Sequence, residues 1–306
     1  MALTFLWLML LAHAGLVSPQ ASPQQPPKTI FILAGQSNMS GRGGVINTTW
    51  DGLVPPECRP RASILRLSAE LRWEEAAEPL HRDIDVYAVC GVGPGMAFAN
   101  SVLQRHAGFG VVGLVPCAVG GTKISQWARG SNLYNQLVRR AAAAAQGGGA
   151  IQALLWYQGE SDTVNEEDAR LYKSRLQQFF MDLRADLQSP LLPIIQVALA
   201  SGQGRYVEEV REGQMGIDLA NVRYVDGKGL ELEADHVHLS TAAQVRLGQM
   251  LAHAFLQTQP NLVHLHSSHA HHASKPLHTF LLHLLKPFLI ISFSTNKIIA
   301  YIVYEF

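Results

Sequence analysis

The segment Thr29-Ile30-Phe31-Ile32-Leu33-Ala34, followed directly by Gly35-Gln36-Ser37-Asn38-Met39, decides the fold of this chain. A short and nearly unbroken apolar run that ends at a glycine is typical of a strand buried on both faces of a parallel sheet. Open α/β sheets place their reactive groups at the carboxyl ends of such strands. Ser37 is therefore predicted to lie at the carboxyl end of a central strand.

The rest of the chain alternates short apolar runs with longer helical patterns. Further strands are predicted at residues 111–117, 153–157, 192–198 and 222–225. Helices are predicted at residues 96–106, 133–146, 166–187, 206–219 and 241–257. This alternation predicts an α/β fold in which a central parallel sheet carries helices on both faces. Residues 55–90 interrupt the rhythm with prolines and charged residues, and we expect them to form an insertion packed against the sheet.

Composition and charge limit the classes of function. With 306 residues, of which 48% are hydrophobic, the chain can bury a full core in one large domain. Its formal net charge is zero, whereas binding to nucleic acid or to an anionic membrane normally requires a cationic face. We therefore expect no nucleic-acid partner, no stable membrane insertion, a monomer, and a substrate that is neutral or weakly charged.

Residues 1–27 are predicted to be a signal peptide and a linker. Residues 2–11 are apolar and precede Ala12-His13-Ala14, a small-x-small cleavage pattern, although the segment lacks a basic residue. A buried helix is the alternative. Residues 18–28 contain four prolines and three glutamines, a composition typical of an exposed linker. The protein is therefore expected to be secreted.

The hydrolase-like part of the chain is predicted to span residues 28–258, and residues 259–306 are predicted to be an atypical, disordered tail. Seven of the 13 histidines fall between positions 264 and 283. Clustered histidines could bind metal, but these lack a cysteine partner and a regular spacing, so an unstructured tail is favoured. The apolar runs of the tail are too short to span a membrane. Neither a metal nor a cofactor is predicted for this chain.

In an oxidising compartment, three cysteines imply one disulfide and one free thiol. Cys117 lies in a strand-like run and is expected to be buried, which leaves Cys58 and Cys90 as the candidate pair; three reduced thiols are the alternative. The sequon Asn47-Thr48-Thr49 would accept a glycan only if the signal peptide functions. A second sequon, Asn38-Met39-Ser40, is expected to be inaccessible.

The segment Asp235-His236-Val237-His238 brings an acid and an imidazole within three residues of each other. It follows the last predicted strand and precedes the last predicted helix. If Asp235 accepts the Nδ1 proton of His238, then Nε2 can face Ser37, which completes the nucleophile, base and acid of acyl-transfer catalysis. The alternatives are a helix cap for the serine and a solvated pair in a loop. His236 is expected to lie on the surface or behind the site.

Polar residues and glycines close two other predicted strands. Gln158 and Glu160 follow the strand at 153–157, where buried polar groups need partners. The side-chain amide of Gln158 suits the stabilisation of an oxyanion, and Glu160 is a second carboxylate that could share the role of the acid. Gly120 and Gly121 end another strand and offer a backbone N–H that no Cβ obstructs; a tight turn is the alternative.

Four motifs occur in the order typical of one enzyme family. They are Gly-Gln-Ser-Asn-Met at 35–39, Gly-Gly-Thr-Lys-Ile-Ser-Gln-Trp at 120–127, Trp-Tyr-Gln-Gly-Glu-Ser-Asp at 156–162 and Asp-x-x-His at 235–238. With these motifs, residues 28–257 resemble the sialate O-acetylesterase-type domain of carbohydrate esterase family 6, in the SGNH hydrolase superfamily, and its plant members in particular. The resemblance implies a flavodoxin-like, three-layer α/β/α fold and a serine esterase that removes acetyl groups from carbohydrates without a cofactor.

The resemblance also implies roles for individual residues. Ser37 is implied as the nucleophile, His238 as the base and Asp235 as its orienting acid. The oxyanion hole is implied to consist of the backbone N–H groups of Ser37 and Gly121 and the side-chain amide of Gln158.

Two further side chains are candidates for contact with the substrate. Trp127 could stack on a sugar ring, although a lone tryptophan beside a helix start is as often part of the core. Glu160 is the other candidate. Two rival functions are a thioesterase or lipase of related fold, which would need a longer acyl channel, and a carbohydrate-binding protein with weak catalysis. The joint presence of serine, histidine and aspartate candidates argues against the latter.

Overall fold

The computed structural model describes residues 27–259, 288–294 and 297–303. Residues 1–26, which hold the predicted signal peptide and nearly all of the linker, lie outside the described residues, as do the clustered histidines between 264 and 283. The chain divides into two compact units, Met1–Pro260 and Asn261–Phe306, and each is described by itself.

A seven-stranded sheet forms the centre of the first unit. The strands of this unit are β1 (Lys28–Gly35), β2 (Val45–Ile46), β3 (Thr49–Trp50), β4 (Ile64–Leu67), β5 (Trp73–Glu75), β6 (Val111–Pro116), β7 (Ala150–Tyr157), β8 (Ile194–Ala198) and β9 (Val222–Asp226). The sheet has the order β5-β4-β6-β1-β7-β8-β9, in which only the β4–β5 pair is antiparallel, while β2 and β3 form a separate hairpin. The five strands from β6 to β9 follow the flavodoxin-like order, as predicted.

Helices connect the parallel strands. The α-helices are α1 (Ser37–Ser40), α2 (Pro94–Arg105), α3 (Asn132–Ala145), α4 (Glu166–Asp186), α5 (Val207–Met215) and α6 (Thr241–Leu256). Single 3₁₀ turns occur at Pro56–Cys58, Ala107–Phe109, Ile124–Trp127 and Glu160–Thr163. Among the helices of the described residues, none has both the length and the apolar character required to cross a membrane.

Aromatic side chains fill the space on both sides of the central strands. Phe31 of β1 packs edge-on against Phe98 of α2 and Phe255 of α6, each with a ring-centroid distance of 4.8 Å. On β7, the ring centroid of Trp156 lies 4.6 Å from that of Phe179 of α4. Close-packed rings of this kind account for much of the apolar area that folding removes from water. The sheet is thus covered on both faces, which gives the three-layer architecture.

All of the helices and strands expected from the alternating pattern are present, but one helix is shorter than expected. The predicted helix at 206–219 ends at Met215, because Gly216 follows and caps it. Glycine loses more backbone entropy in a helix than any other residue, so helices commonly stop there.

The segment 55–90 was expected to pack against the sheet, and this prediction is wrong in one respect. Two of its strands, β4 and β5, join the sheet and extend its edge, with β4 parallel to β6. The charged residue Arg66 interrupts the apolar pattern of β4, so the sequence did not predict this strand. Its fully buried guanidinium is paired with Glu74 at 3.0 Å and with Asp83, so the charge is neutralised inside the fold.

The cysteines follow the alternative of three reduced thiols rather than the candidate pair of Cys58 and Cys90. All three cysteines are free and buried. Cys58 belongs to the core cluster, and Cys90 lies with its Sγ 3.5 Å from Nη1 of Arg42. Each behaves as a small buried hydrophobic or weakly polar side chain, the role that was expected for Cys117.

The second unit contains an antiparallel hairpin of β10 (Phe288–Ser294) and β11 (Lys297–Val303). The prediction that the whole tail is disordered is therefore wrong for these residues. Their sequences, Phe-Leu-Ile-Ile-Ser-Phe-Ser and Lys-Ile-Ile-Ala-Tyr-Ile-Val, are rich in β-branched and aromatic residues, which favour strands.

We expect removal of residues 261–306 to leave the Tm of the first unit unchanged within about 2 °C, because the core cluster lies between Ile30 and Phe255. Differential scanning calorimetry of the full chain and the truncated chain tests this. A matched truncation that also removes residues 250–260 takes part of α6 from the core and should lower Tm strongly. A large loss of Tm on the first truncation would contradict the expectation.

Candidate active site

A hydrogen bond joins the turn after β1 to the end of β7. The backbone N–H of Gln36 donates to the carbonyl oxygen of Tyr157 at 2.8 Å. At Gly35, which has a φ of +132°, a Cβ would lie 1.9 Å from that same oxygen, so only glycine fits. This close approach places Ser37 at the start of α1, between the carboxyl ends of two neighbouring strands, where the strand order of the sheet reverses.

His238 and Asp235 reach Ser37 from the loop between β9 and α6. The Nε2 atom of His238 lies 2.9 Å from Oγ of Ser37, and its Nδ1 atom lies 2.6 Å from Oδ2 of Asp235. The other carboxylate oxygen, Oδ1, accepts the backbone N–H groups of Val237 and His238, both at 2.9 Å. The three side chains predicted from sequence to act together therefore form one continuous chain of hydrogen bonds.

The carboxyl group of Asp235 is held in its charged form. Partial burial raises its pKa, but hydrogen bonds from the His238 and Val237 N–H groups and from the imidazole lower it more, so the pKa lies below its ordinary value. An ionised carboxylate accepts a hydrogen bond and cannot donate one. The Nδ1 atom of His238 is therefore the donor to Asp235, and in the neutral imidazole this tautomer leaves Nε2 as the acceptor for the hydroxyl of Ser37.

Asn38 joins the turn that holds Ser37 to the loop that holds His238. Its Oδ1 accepts the backbone N–H of Leu239 at 2.9 Å, and its Nδ2 donates to the carbonyl oxygen of Val237 at 3.2 Å. Both partners flank the imidazole residue in sequence. The Asn38 side chain thus sets the distance between nucleophile and base, and its full burial agrees with the expected inaccessibility of its sequon.

Glu160 lies behind this junction and does not contact His238. It is fully buried, and its Oε1 accepts Nδ2 of Asn38 at 2.8 Å. Burial raises the pKa of Glu160 to about 7, against the opposing effect of the hydrogen bond from Asn38. The predictions that Glu160 contacts substrate or shares the role of Asp235 are therefore wrong; it supports Asn38.

Gln158 was predicted to supply an oxyanion donor, and its surroundings contradict that prediction. Its side chain is fully buried, and its Nε2 lies 2.6 Å from Oδ2 of Asp162, 2.8 Å from the carbonyl oxygen of Thr122 and 3.2 Å from Oε1 of Gln36. An amide has only two N–H groups, so these acceptors use its donor capacity. Gln158 acts inside the fold, where it satisfies a buried carboxylate.

Trp127 was predicted to stack on a sugar ring, and this prediction is wrong as well. The residue has no exposed surface. Its ring meets that of Trp156 at 86°, with the centroids 5.2 Å apart, and its Nε1 donates to Oγ1 of Thr122 at 3.1 Å. It belongs to the aromatic core between the sheet and α4.

Gly120 and Gly121 form the loop that passes beside the nucleophile. A Cβ at Gly120 would lie 3.4 Å from Cβ of Ser37 and 2.7 Å from Nη2 of Arg42, so the loop backbone lies tightly against both. Gly121 has a φ of +71°, and nothing surrounds the place of its missing side chain within 4 Å. The space that a side chain at Gly121 would occupy is therefore open.

An open cleft of about 590 Å³ leads from the surface to the His238 imidazole. Its walls come from the β2–β3 hairpin, the segment after Asp85 and the loop before α6. The lining residues are Arg42, Val45, Ile46, Asn47, Thr48, Tyr87, Ala88, Val89, Glu233, Ala234, Asp235 and His238. The cleft thus reaches Asp235 and His238, and Oγ of Ser37 lies 2.9 Å behind the imidazole nitrogen Nε2 of His238.

Sequence reasoning missed Asn38, Arg42 and Tyr87 as site residues. For Asn38 and Arg42 a signal existed, because both lie within a few residues of Ser37 in the glycine-rich segment 35–44. Tyr87 belongs to the segment that was assigned to an insertion, and no local pattern pointed from it to the site.

A family model described as carbohydrate esterase, sialic acid-specific acetylesterase, matches residues 27–257. The chain belongs to this acetylesterase family. A protein of Arabidopsis thaliana named as a probable carbohydrate esterase is 56% identical over 245 residues, which cover 78% of this chain and 94% of that protein.

Two solved structures place this member of the acetylesterase family among related folds. An X-ray structure of an Arabidopsis thaliana protein at 56% identity has a TM-score of 0.74 and covers 76% of this chain and 99% of that one. The crystal structure of NanS, at 16% identity, has a TM-score of 0.62 with coverage of 77% and 98%, and it shows the shared fold alone. The fold is that of SGNH-type esterases, as predicted.

For this acetylesterase-family chain, we expect Glu160→Gln to change how stability depends on pH. Since the folded-state pKa of Glu160 is raised from 4.5 to about 7, its protonation stabilises the fold fully below pH 4.5, and that contribution is lost as the pH rises through 7. Glutamine cannot ionise. The free energy of unfolding of the variant, relative to wild type, should therefore rise by roughly 2–3 kcal/mol between pH 4.5 and pH 8.

Urea denaturation at both pH values measures this difference. Glu212→Gln removes an exposed carboxyl on α5 and serves as the matched control, for which the difference should stay near zero. Equal pH dependence of wild type and Glu160→Gln would contradict the assignment of a raised pKa to Glu160.

Proposed function

We propose that this protein hydrolyses acetyl or other short acyl esters on carbohydrates, with Ser37 as nucleophile, His238 as general base and Asp235 as the acid that orients the imidazole. The observation that carries the proposal is the chain of hydrogen bonds from Ser37 to His238 to Asp235, 2.9 and 2.6 Å long, of which His238 and Asp235 line an open cleft. Membership of a carbohydrate esterase family supports a carbohydrate ester as the substrate.

In the proposed reaction, Nε2 of His238 accepts the proton of Ser37 while Oγ attacks the acyl carbonyl carbon. The imidazolium then donates this proton to the sugar oxygen, and the C–O bond of the ester breaks to leave an acyl-Ser37 intermediate. A water molecule, deprotonated by the same imidazole, attacks the intermediate. The acid leaves, and the proton returns to Oγ of Ser37. Asp235 stays ionised throughout and stabilises the imidazolium.

The tetrahedral oxyanion needs donors that are already in place. We assign this role to the backbone N–H groups of Ser37 and Gly121. The first N–H groups of a helix have no acceptor within the helix, and Ser37 begins α1. The glycine loop runs beside Cβ of Ser37 at Gly120, and the next residue, Gly121, has no side chain and open space where one would lie. Donors fixed by the backbone cost no reorganisation when the charge develops.

Ser37→Ala should lower kcat for an acetylated sugar by about 10⁴-fold or more, because no acyl-enzyme can form. Acetate release measures the rate, and circular dichroism and Tm should be unchanged because Oγ of Ser37 contributes little packing. Substantial activity in the folded variant would overturn the assignment of the nucleophile. Sugar binding by wild type without Ser37-dependent acetate release would favour the carbohydrate-binding alternative.

His238→Ala should abolish turnover to a similar extent, and Asp235→Asn should lower kcat by about 10³- to 10⁴-fold through loss of the correct imidazole tautomer. His236→Asn is the matched control. It removes an exposed imidazole two residues away, and asparagine tolerates the φ of +58° at this position. A larger kcat loss for Glu160→Gln than for Asp235→Asn would reverse the assignment of the acid.

A further inference from the structure

The charged side chains of the cleft are predominantly acidic. Among the described residues that line it, Glu233 and Asp235 carry carboxylates, and Arg42 is the lining residue with a permanent positive charge. Asp235 is partly exposed on the side away from the imidazole it holds. Whether an anionic sugar can bind therefore depends on whether the Arg42 guanidinium is available to it.

The guanidinium of Arg42 is paired with a buried carboxylate inside the fold. Its Nη2 donates to Oδ2 of Asp85 at 2.5 Å, and its Nη1 donates to Oγ of Ser40 at 2.8 Å and to the carbonyl oxygen of Gly41 at 2.9 Å. Arg42 is 6% exposed and Asp85 is 1% exposed. The buried carboxylate neutralises the charge at short range, and withdrawing Arg42 from it would leave Asp85 unpaired in the interior.

Glu233 holds one wall of the cleft and keeps a negative charge there. Its Oε1 accepts the backbone N–H of Gly44 at 3.1 Å, which connects the loop before α6 to the base of the β2–β3 hairpin. With Asp235 two residues away, Glu233 gives the cleft an acidic rim that opposes a second anion.

The opposite wall is apolar and exposed. Tyr87 is 88% exposed, and Ile46 and Val89 beside the same cleft are 62% and 40% exposed. Large exposed apolar groups gathered at the mouth of a cleft mark a contact surface for a ligand. An aromatic ring offers its face to the C–H groups of a pyranose ring and its hydroxyl to the ring substituents.

We propose that this cleft selects uncharged acetylated sugars, which pack on Tyr87, and rejects acetylated sugars that carry a carboxylate, with Glu233 as the residue that sets this preference. The inference rests on the proposed function. It separates this chain from the description of its family, since a sialic acid carries a carboxylate and no free cation lines this cleft among the described residues.

The test uses two substrates that differ in charge and in one methyl group: an acetylated methyl galacturonoside as its uncharged methyl ester and as the free acid. Acetate release is measured for both substrates. The value of kcat/KM should be about tenfold higher for the methyl ester than for the free acid. This ratio should fall towards one as salt screens the repulsion between Glu233 and the carboxylate of the sugar. Equal kcat/KM values for the two substrates at low salt would overturn the selection against charge.

Glu233→Gln should lower the ester-to-acid ratio several-fold, whereas Glu212→Gln, with the same loss of charge outside the cleft, should keep the wild-type ratio. Tyr87→Ala should raise KM, and this fold-change should be about ten times the fold-change by which kcat falls. Tyr87→Phe keeps the aromatic ring and should have a KM close to that of wild type. Tyr224→Ala removes an exposed tyrosine of β9 and is the matched control. An unchanged ratio in Glu233→Gln, or an unchanged KM in Tyr87→Ala, would overturn the residue assignments.

Hydrolysis of 4-nitrophenyl acetate, measured in parallel, separates failure of this inference from failure of the proposed function. Ser37-dependent hydrolysis of this ester without acetate release from either sugar would overturn the carbohydrate substrate itself. Release from both sugars at equal rates would leave the esterase proposal standing and overturn the charge selection alone.

Discussion

The side chain of Asn38 is the contact on which the candidate site depends. It joins the turn after β1 to the backbone at Leu239, 201 residues further along the chain, and it rests on the buried carboxyl group of Glu160. Ser37 lies beside it on one segment and His238 lies beside its partners on the other. The side chain of Asn38 therefore helps to position both segments whose Ser37 and His238 side chains lie 2.9 Å apart.

The sheet makes this contact possible. Since β1 lies between β6 and β7 with all three strands parallel, their carboxyl ends meet at one edge and deliver the Ser37 turn, the Gly120-Gly121 loop and the Gln158 segment to the same place. The backbone segments lie close to one another: a Cβ at Gly35 would lie only 1.9 Å from the carbonyl oxygen of Tyr157. Ser37 is thus positioned by the ends of packed strands, whereas Asp235 and His238 come from the loop between β9 and α6.

Two buried polar clusters support the site from opposite sides. Arg42 and Asp85 lie beneath the glycine loop, and Gln158 with Asp162 lies behind the turn of Ser37. The Gln158 amide, which the sequence predicted to face an oxyanion, donates to buried acceptors, and the Arg42 guanidinium is paired with buried Asp85. Burial without a partner is costly, so the fold takes up these donors first. What remains for a ligand is backbone N–H, an acidic rim and an exposed apolar wall.

The amino-acid sequence alone determined the alternation of strands and helices, the place of Ser37 after β1 and the association of Asp235 with His238, because each of these depends on local patterns or short spacings. Tertiary structure decided the rest. Whether Gln158, Trp127 and Glu160 face solvent or the core depends on which elements pack over them. Arg66 can be buried in β4 because Asp83, 17 residues further along the chain, neutralises its charge. The cysteines stay unpaired for the same reason: distance and direction between residues far apart in sequence are set only when the layers close.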